Sequence, residues 1–287
     1  MMKTFSLPIG KGTQTVSLDE AHVLYDLHGN PVDAVADEQE AIRQALRHPI
    51  GSAPLKDVVQ AGDTVAIIVS DITRLVHTAQ MLPVIVDELN QAGVRDEQIT
   101  VVTAQGTHRA HTPEEDVTVC GEDMVKRVKV VSHDCRDASQ LTKIGTTTHG
   151  NDVYLDSHVV QADKVILTGA VSFHPMAGFG GGRKAVLPGV ASYVDVTPQL
   201  VQNTLEAQKK HNIAVAVLGT YVELAIADEV QRSTNAADFK SQLAVCKALN
   251  AGCIGTETTG MHKQPAGTTR ERAQYMLCKS LETILPE

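Results

Sequence analysis

The sequence predicts an α/β fold with a doubly wound, mostly parallel sheet, followed by a smaller α/β segment. Short apolar runs of strand length recur along the chain, and each leads through a loop into a helical pattern. Aromatic residues make up only 3% of the chain while apolar residues make up 43%, which favours small-residue helix–sheet packing over an aromatic-rich β-sandwich. The 287 residues suffice for two domains, which we predict at 1–198 and 199–287.

The opening segment alternates in polarity and ends in a turn at residues 29–31. A helical pattern at 37–47 ends before Pro49, which cannot continue a helix. Residues 64–70, TVAIIVS, form a continuous apolar run that is typical of a buried parallel strand. An amphipathic helix is expected at 81–92.

The alternation of predicted strands and helices continues through the next part of the chain. A second strand is predicted at 99–103, and Thr112 has the features of a helix N-cap, with proline and two acids directly after it. Further strands are predicted at 128–131 and 164–167. Parallel strands connected in this way present the loops after their carboxyl ends at one edge of the sheet, where ligands bind.

A glycine-dense stretch at 174–192, HPMAGFGGGRKAVLPGVAS, follows the last of these strands. Gly180, Gly181 and Gly182 let backbone N–H groups approach a phosphate or carboxylate closely, and Arg183 and Lys184 add two cations. The pattern therefore predicts an anion site. The alternative is a tight turn capped by basic residues.

Three chemically capable side chains follow predicted strands, namely Arg74, His108 and His174. Two histidines at one ligand can act as base and acid, because the imidazole pKa lies near neutral pH. Arg74 can hold a substrate carboxylate through two hydrogen bonds. The alternatives remain open that the histidines are satisfied loop residues and that Arg74 pairs with Asp71 inside its own loop.

Composition argues against several other classes of protein. A net charge of −9 argues against a general nucleic-acid surface, and five cysteines without a CxxC pair indicate neither a zinc knuckle nor a disulfide framework. We discount a metal or nucleophile cluster at residues 133–135, HDC, because neighbouring strand residues face opposite ways. With no signal-peptide pattern and no apolar run of membrane length, we expect a cytoplasmic protein without membrane contact.

The chain resembles the amino-terminal domain of the nickel-pincer lactate racemase family over about residues 5–195. Three motifs carry the resemblance: residues 70–74 (SDITR), residues 106–109 (GTHR) and the phrase GFGGGRKAVLPGVASY, which ends at Tyr193. Their order and spacing agree with the family.

The resemblance implies a cofactor, a nickel-carrying pyridinium mononucleotide with thioamide and thiocarboxylate groups, tethered through Lys184. It implies that His108 and His174 exchange the proton of a small 2-hydroxy acid and that Arg74 orients its carboxylate. The reaction passes a hydride from C2 to the cofactor and returns it to either face. The further residues it assigns to cofactor binding are Asp71, Thr73, Gly180, Gly181, Gly182 and Arg183. Partners would be the substrate and cofactor-synthesis proteins, and a homo-oligomer is compatible with it.

The sequence departs from this family at the metal. The family places a nickel-binding histidine sixteen residues after the tethering lysine, where this chain has Leu200, so we assign no metal ligand. His211 is a remote substitute. The family's second domain has no counterpart; residues from about 202 to 287 instead resemble part of a xylose-isomerase-like sugar-phosphate isomerase/epimerase barrel, with Glu257 at a strand end.

The main hypothesis is therefore a racemase or epimerase of a small 2-hydroxy acid such as lactate. The alternative is a catalytically silent domain that binds a mononucleotide or phosphate, because Leu200 cannot hold nickel. Sugar-phosphate isomerisation by residues 199–287 would need a closed barrel of eight strands, of which about two are predicted.

Overall fold

Strands and helices alternate along most of the chain in the computed structural model, which describes residues 1–9, 12–148, 150–174, 177–194, 196–256 and 259–285. The strands are β1 (Met2–Ile9), β2 (Gly12–Asp19), β3 (Val65–Ser70), β4 (Ile99–Ala104), β5 (Lys129–Ser132), β6 (Leu141–Thr146), β7 (Asp152–Asp156), β8 (Lys164–Leu167), β9 (Phe173–His174), β10 (Gly178–Phe179), β11 (Val217–Thr220) and β12 (Cys253–Thr256). The helices are α1 (Glu38–Arg47), α2 (Leu55–Val58), α3 (Thr78–Gln91), α4 (Pro113–Cys120), α5 (Glu122–Arg127), α6 (Ser157–Val160), α7 (Arg183–Val186), α8 (Pro198–His211), α9 (Glu229–Ala248) and α10 (Arg270–Ile284).

A four-stranded parallel sheet organises the first part of the chain. Its strand order is β5-β4-β3-β8, so the chain adds β4 and β5 on one side of β3 and then crosses to add β8 on the other. In β3 every residue from Val65 to Val69 is at most 1% exposed, because helices cover both faces of the strand. This explains why its sequence is a continuous apolar run.

The two faces of β3 contribute to separate hydrophobic cores. Val65, Ile67 and Val69 pack with residues of α3, α4 and α5, whereas Ala66 and Ile68 pack with residues of α6 and α7 on the opposite face. The predicted doubly wound α/β architecture is therefore confirmed.

Helix termini show which local signals were readable in the sequence. Thr112 caps α4 as predicted, in a capping box with Glu115. Helix α3 begins at Thr78, three residues before the predicted start. Its N-cap residue is His77, which has a φ of 58° and makes no side-chain cap hydrogen bond, so the sequence lacked a start signal.

The carboxyl-terminal segment forms a small α/β unit of its own elements. Strands β11 and β12 pair in parallel. The core that these strands share with α9 and α10 contains Leu224, Ala236, Phe239 and Ile284. Helix α9 has 20 residues, and the Asp228 side chain caps its start by accepting a hydrogen bond from the Gln231 N–H. Glu257 lies outside the described residues. The domain division at 198/199 and the likeness to a barrel fragment stay predictions.

None of the described helices combines the length and the apolar character required to cross a membrane.

The end of the glycine-dense stretch packs against β4 by direct backbone contact. The Gly106 N–H donates to the Gly189 carbonyl oxygen at 2.8 Å, and a Cβ at Gly189 would overlap the Ala185 carbonyl and the Ala104 side chain. No other residue type fits there without displacing one of these neighbours.

We therefore expect Gly189→Ala to lower the free energy of unfolding by about 1–3 kcal/mol, as overpacking does. Urea denaturation measures the change. Gly145→Ala is the matched control, since a Cβ at Gly145 has no neighbour within 4 Å and we expect its stability to be unchanged or slightly raised. Equal effects of the two substitutions would contradict this packing.

Candidate functional site

The candidate site lies at the carboxyl edge of the parallel sheet, where the strand order reverses between β3 and β8. In open α/β sheets this switch point forms a crevice that binds ligands. The segments meet there by contact: a Cβ at Gly169, after β8, would lie 3.3 Å from the Gly181 Cα and 3.6 Å from the Ser70 Oγ. The loops after β3 and β8 and the glycine stretch thus converge on the predicted edge.

A buried carboxylate orients the first histidine. Asp71 Oδ2 lies 2.6 Å from His108 Nδ1, and its Oδ1 accepts a hydrogen bond from the Thr73 hydroxyl at 2.7 Å. This pairing places a proton on Nδ1 of His108 and leaves the Nε2 lone pair as the basic position of the neutral ring. The His108 side chain is 51% exposed, so Nε2 is accessible to a bound molecule.

Arg74 lies in the same loop with its side chain exposed. Its Nη1 donates to the Thr73 carbonyl oxygen at 2.9 Å and lies 3.3 Å from the Thr73 Oγ1. The alternative in which Arg74 pairs with Asp71 is wrong, because the Arg74 guanidinium bonds to Thr73, while the Asp71 carboxylate bonds to His108 and to the Thr73 hydroxyl. The exposed guanidinium can meet a carboxylate.

His174 is held in the opposite tautomer. It lies in β9, which pairs with β10, and the rings of Phe173 and Phe179 contact each other at 5.5 Å between centroids. The Ala177 N–H donates to His174 Nδ1 at 3.0 Å. Because Nδ1 accepts, the neutral His174 ring has its proton on Nε2.

The glycine stretch forms a backbone-lined loop that ends in the two cations. Gly180 N–H donates to the Ser172 carbonyl oxygen at 2.7 Å. Gly181 has a φ of 67°, and a Cβ there would lie 2.7 Å from the Ala170 carbonyl oxygen, so this position needs glycine. Helix α7 follows at once and presents Arg183 exposed and Lys184 half-buried. The loop and the lysine amine fit an anionic, lysine-tethered nucleotide.

The residues present fit the metal part of such a cofactor less well. Leu200 lies in the first turn of α8 and offers only hydrocarbon. His211 is the last residue of α8, about 16 Å further along the helix axis at 1.5 Å per residue, so it cannot replace a ligand at position 200. Within the described ranges, no three or more His, Cys, Asp or Glu residues are grouped to hold a metal ion.

A histidine–carboxylate hydrogen bond and an ion pair fix the loop after β4, and neither was predicted from the sequence. The His111 side chain is buried, with its Nε2 2.9 Å from the Ile72 backbone nitrogen, whose N–H donates to it, and its Nδ1 2.9 Å from Asp116 Oδ1. Arg109 makes two hydrogen bonds to Glu115, of 2.6 and 2.7 Å, and these hold the pKa of the Glu115 carboxyl at about 2. The sequence did contain a signal for these contacts, since Arg109 and His111 come just before a helix whose first turn is acidic.

His133 connects the end of β5 to the end of the glycine stretch. Its Nδ1 lies 3.1 Å from Asp156 Oδ2 and its Nε2 3.0 Å from the Ala191 carbonyl oxygen, both buried. Burial raises the pKa of Asp156, but hydrogen bonds from His133 and His158 outweigh it, so that the pKa lies below its usual value. The contacts of His133 with Asp156 and Ala191 give it a structural role.

A histidine paired with a buried carboxylate and a glycine-rich loop that ends in two cations follow the strands of a parallel sheet, which defines an α/β domain with a candidate ligand site at its switch point. The family described as "Lactate racemase N-terminal domain" matches residues 9–211. The chain belongs to this family.

Individual relatives agree with this membership. The lactate racemase of Lactiplantibacillus plantarum is 35% identical over 198 residues, which cover 67% of this chain and 46% of that protein. The lactate racemase of Thermoanaerobacterium thermosaccharolyticum is 31% identical over 193 residues, covering 67% of this chain and 45% of that protein. The chain thus spans about half the length of the curated relatives it matches.

A solved structure shows the same fold. The lactate racemase apoprotein from T. thermosaccharolyticum aligns with a TM-score of 0.61 at 24% identity, over 98% of this chain and 63% of that one. The structural match therefore extends past residue 211, where the family match ends.

The Arg109–Glu115 pair makes stability depend on pH in a defined direction. Folding lowers the pKa of Glu115 from 4.5 to about 2, so its contribution to stability is complete above pH 4.5 and is lost as pH falls toward 2. We expect Glu115→Gln to unfold at lower urea than the wild type at pH 7, with a gap that narrows steadily below pH 4.5. A gap independent of pH would contradict the assignment.

Proposed function

We propose that this chain supplies the catalytic histidines and the cofactor loop for racemisation of a small 2-hydroxy acid, with lactate as the first candidate substrate. The pairing of His108 with Asp71, in the loop that also carries Arg74, is the observation that carries this proposal, and the opposite tautomer of His174 supports it. Membership of the lactate racemase amino-terminal family supports the substrate class.

His108 is arranged to remove the substrate hydroxyl proton. Its Nε2 is the unprotonated nitrogen of the neutral ring, and Asp71 stabilises the imidazolium that forms when this nitrogen accepts the proton. Arg74 would hold the substrate carboxylate, which fixes the hydroxyl and the C2 hydrogen relative to the imidazole.

His174 would contact the same substrate oxygen as His108, but through a nitrogen that has a proton. With the proton on Nε2, the neutral ring donates a hydrogen bond to the oxygen of the planar keto acid. Its transfer of a proton requires the imidazolium, and therefore protonation of Nδ1 and release of the Ala177 amide. Proton return at the second face is thus coupled to the β9–β10 hairpin.

For the cofactor we propose the nickel-pincer nucleotide, with Lys184 as the tether and Gly180, Gly181, Gly182 and Arg183 around its phosphate. When bound, it supplies the acceptor for the hydride that leaves C2. Asp71 and Thr73 are expected near it, although their side chains also orient His108. Cofactor-synthesis proteins would be the partners that deliver it.

A second candidate function is binding of a mononucleotide or phosphate without catalysis. The hydrocarbon side chain of Leu200 at the position of the family's nickel ligand favours this reading. Nickel content separates the two functions, since a silent binder purified from a cofactor-producing host would contain none, whereas the racemase would contain stoichiometric nickel.

We expect His108→Ala and His174→Ala each to lower lactate racemisation by about 10²–10⁴-fold, because losing a positioned acid–base group costs this much. Chiral chromatography of lactate started from each enantiomer measures the rate. Substitution of His22, an exposed residue remote in sequence from these loops, provides the control. Full activity of either alanine variant would contradict the assigned roles.

We expect protein from a host that makes the cofactor to contain a mass adduct on Lys184. The adduct should be absent from both Lys184→Ala and Lys184→Arg, since arginine retains the charge but lacks the amine that forms the bond. Intact-protein and peptide mass spectrometry measure it. An adduct that persists in Lys184→Arg would show that the tether lies elsewhere.

A further inference from the structure

We infer that His111, together with Asp116, is a positioning residue that sets the Asp71–Arg74 loop for catalysis. The inference rests on the proposed function, because it concerns how His108 and Arg74 are aimed at one substrate. His111 does not itself point to a substrate group: both of its ring nitrogens are engaged within the protein.

The hydrogen bonds of His111 require one protonation state. A backbone N–H can only donate, so the nitrogen that faces Ile72, Nε2 at 2.9 Å, must have its lone pair available. The other nitrogen, Nδ1, then has the proton and donates to the Asp116 carboxylate at 2.9 Å. With its side chain only 1% exposed, the ring is held as this single neutral tautomer.

This arrangement holds the β3 loop at its centre. Ile72 lies between Asp71, whose side chain is bound to His108, and the residues that position the Arg74 guanidinium. Two histidines three residues apart thus bind neighbouring residues of one loop. His108 binds the side chain of Asp71, and His111 binds the backbone N–H of Ile72. The Arg74 N–H closes the turn by donating to the Asp71 carbonyl oxygen at 2.9 Å.

The loop that carries His111 is itself anchored to the sheet. The Ser132 Oγ, at the end of β5, accepts hydrogen bonds from the His111 N–H at 3.2 Å and from Gln105 Nε2 at 3.0 Å. Asp116 lies in the first turn of α4. Because His111 is anchored to β5 and α4, its hydrogen bond to Ile72 fixes the β3 loop relative to these two elements.

The hydrogen bond to Ile72 lies outside the elements that form the fold. Strand β3 ends at Ser70 and helix α3 begins at Thr78, and both are stabilised by the core. The Ile72 side chain also packs against that core, so substitution of the imidazole should free the Ile72 amide and shift the loop backbone while the domain stays folded. This separates a positioning role from a structural one.

The test compares His111→Phe, which keeps an aromatic ring but lacks the acceptor, with His111→Gln, whose amide oxygen can accept from Ile72. We expect His111→Phe to lower kcat/KM for lactate by about 10- to 100-fold, as misplacement by an ångström does, with a raised KM because Arg74 loses its position. His111→Gln should recover most of this loss. The control is His48→Phe, an exposed residue at the end of α1, with unchanged kinetics.

A second measurement reports the order of the β3 loop without depending on catalysis. Hydrogen exchange should show the Ile72 amide protected in the wild type and in His111→Gln, and exposed in His111→Phe, while the Ile68 amide of β3 stays protected in all three. A lower kcat with unchanged KM and equal loss in both variants would mean a structural role and overturn the inference. So would a Ile72 amide that exchanges equally in all three proteins.

A wild-type protein that does not racemise lactate would overturn the proposed function instead. The Ile72 exchange pattern would then decide the inference alone, because it is measured without substrate.

Discussion

Burial of strand β3 on both faces is the constraint on which the remaining structure depends. Alternate side chains of Val65–Val69 belong to different cores, so helices must cover each face and the chain must cross the sheet to do so. The crossing places β8 beside β3 and creates the reversal in strand order. Asp71 follows directly from this strand, which makes the best-buried element of the sheet also the support of the site.

The loops around the site are fixed by two different means. The glycine stretch is held through main-chain contacts with Ser172 and Ala170. The other loops are cross-connected by histidines, His108 and His111 to the β3 loop and His133 to Ala191. At His111 the ring accepts from the Ile72 N–H at one nitrogen and donates to Asp116 at the other.

Much of the fold was readable from the sequence because its signals are local. The strand at 164–167 was predicted at its observed limits, and the cap at Thr112 is a short-range motif. The pairing of Asp71 with His108 was not predicted, because the two residues are 37 apart in the sequence, and the only partner considered for Asp71 was Arg74 in its own loop. The motifs identified the candidate residues, but their protonation states depend on neighbours that only the fold brings together.

The backbone-built loop has a consequence for how this protein tolerates change. Systematic alanine replacement detects contacts by removing atoms, yet the group packed against Gly181 is the Ala170 carbonyl, which no side-chain replacement removes. At Gly181 and Gly189 alanine adds an atom where there is no room. What this stretch requires is therefore the absence of side chains at a few positions. A mutational scan would find that these glycines tolerate no substitution, whereas substitutions at the residues that contact them would have little effect.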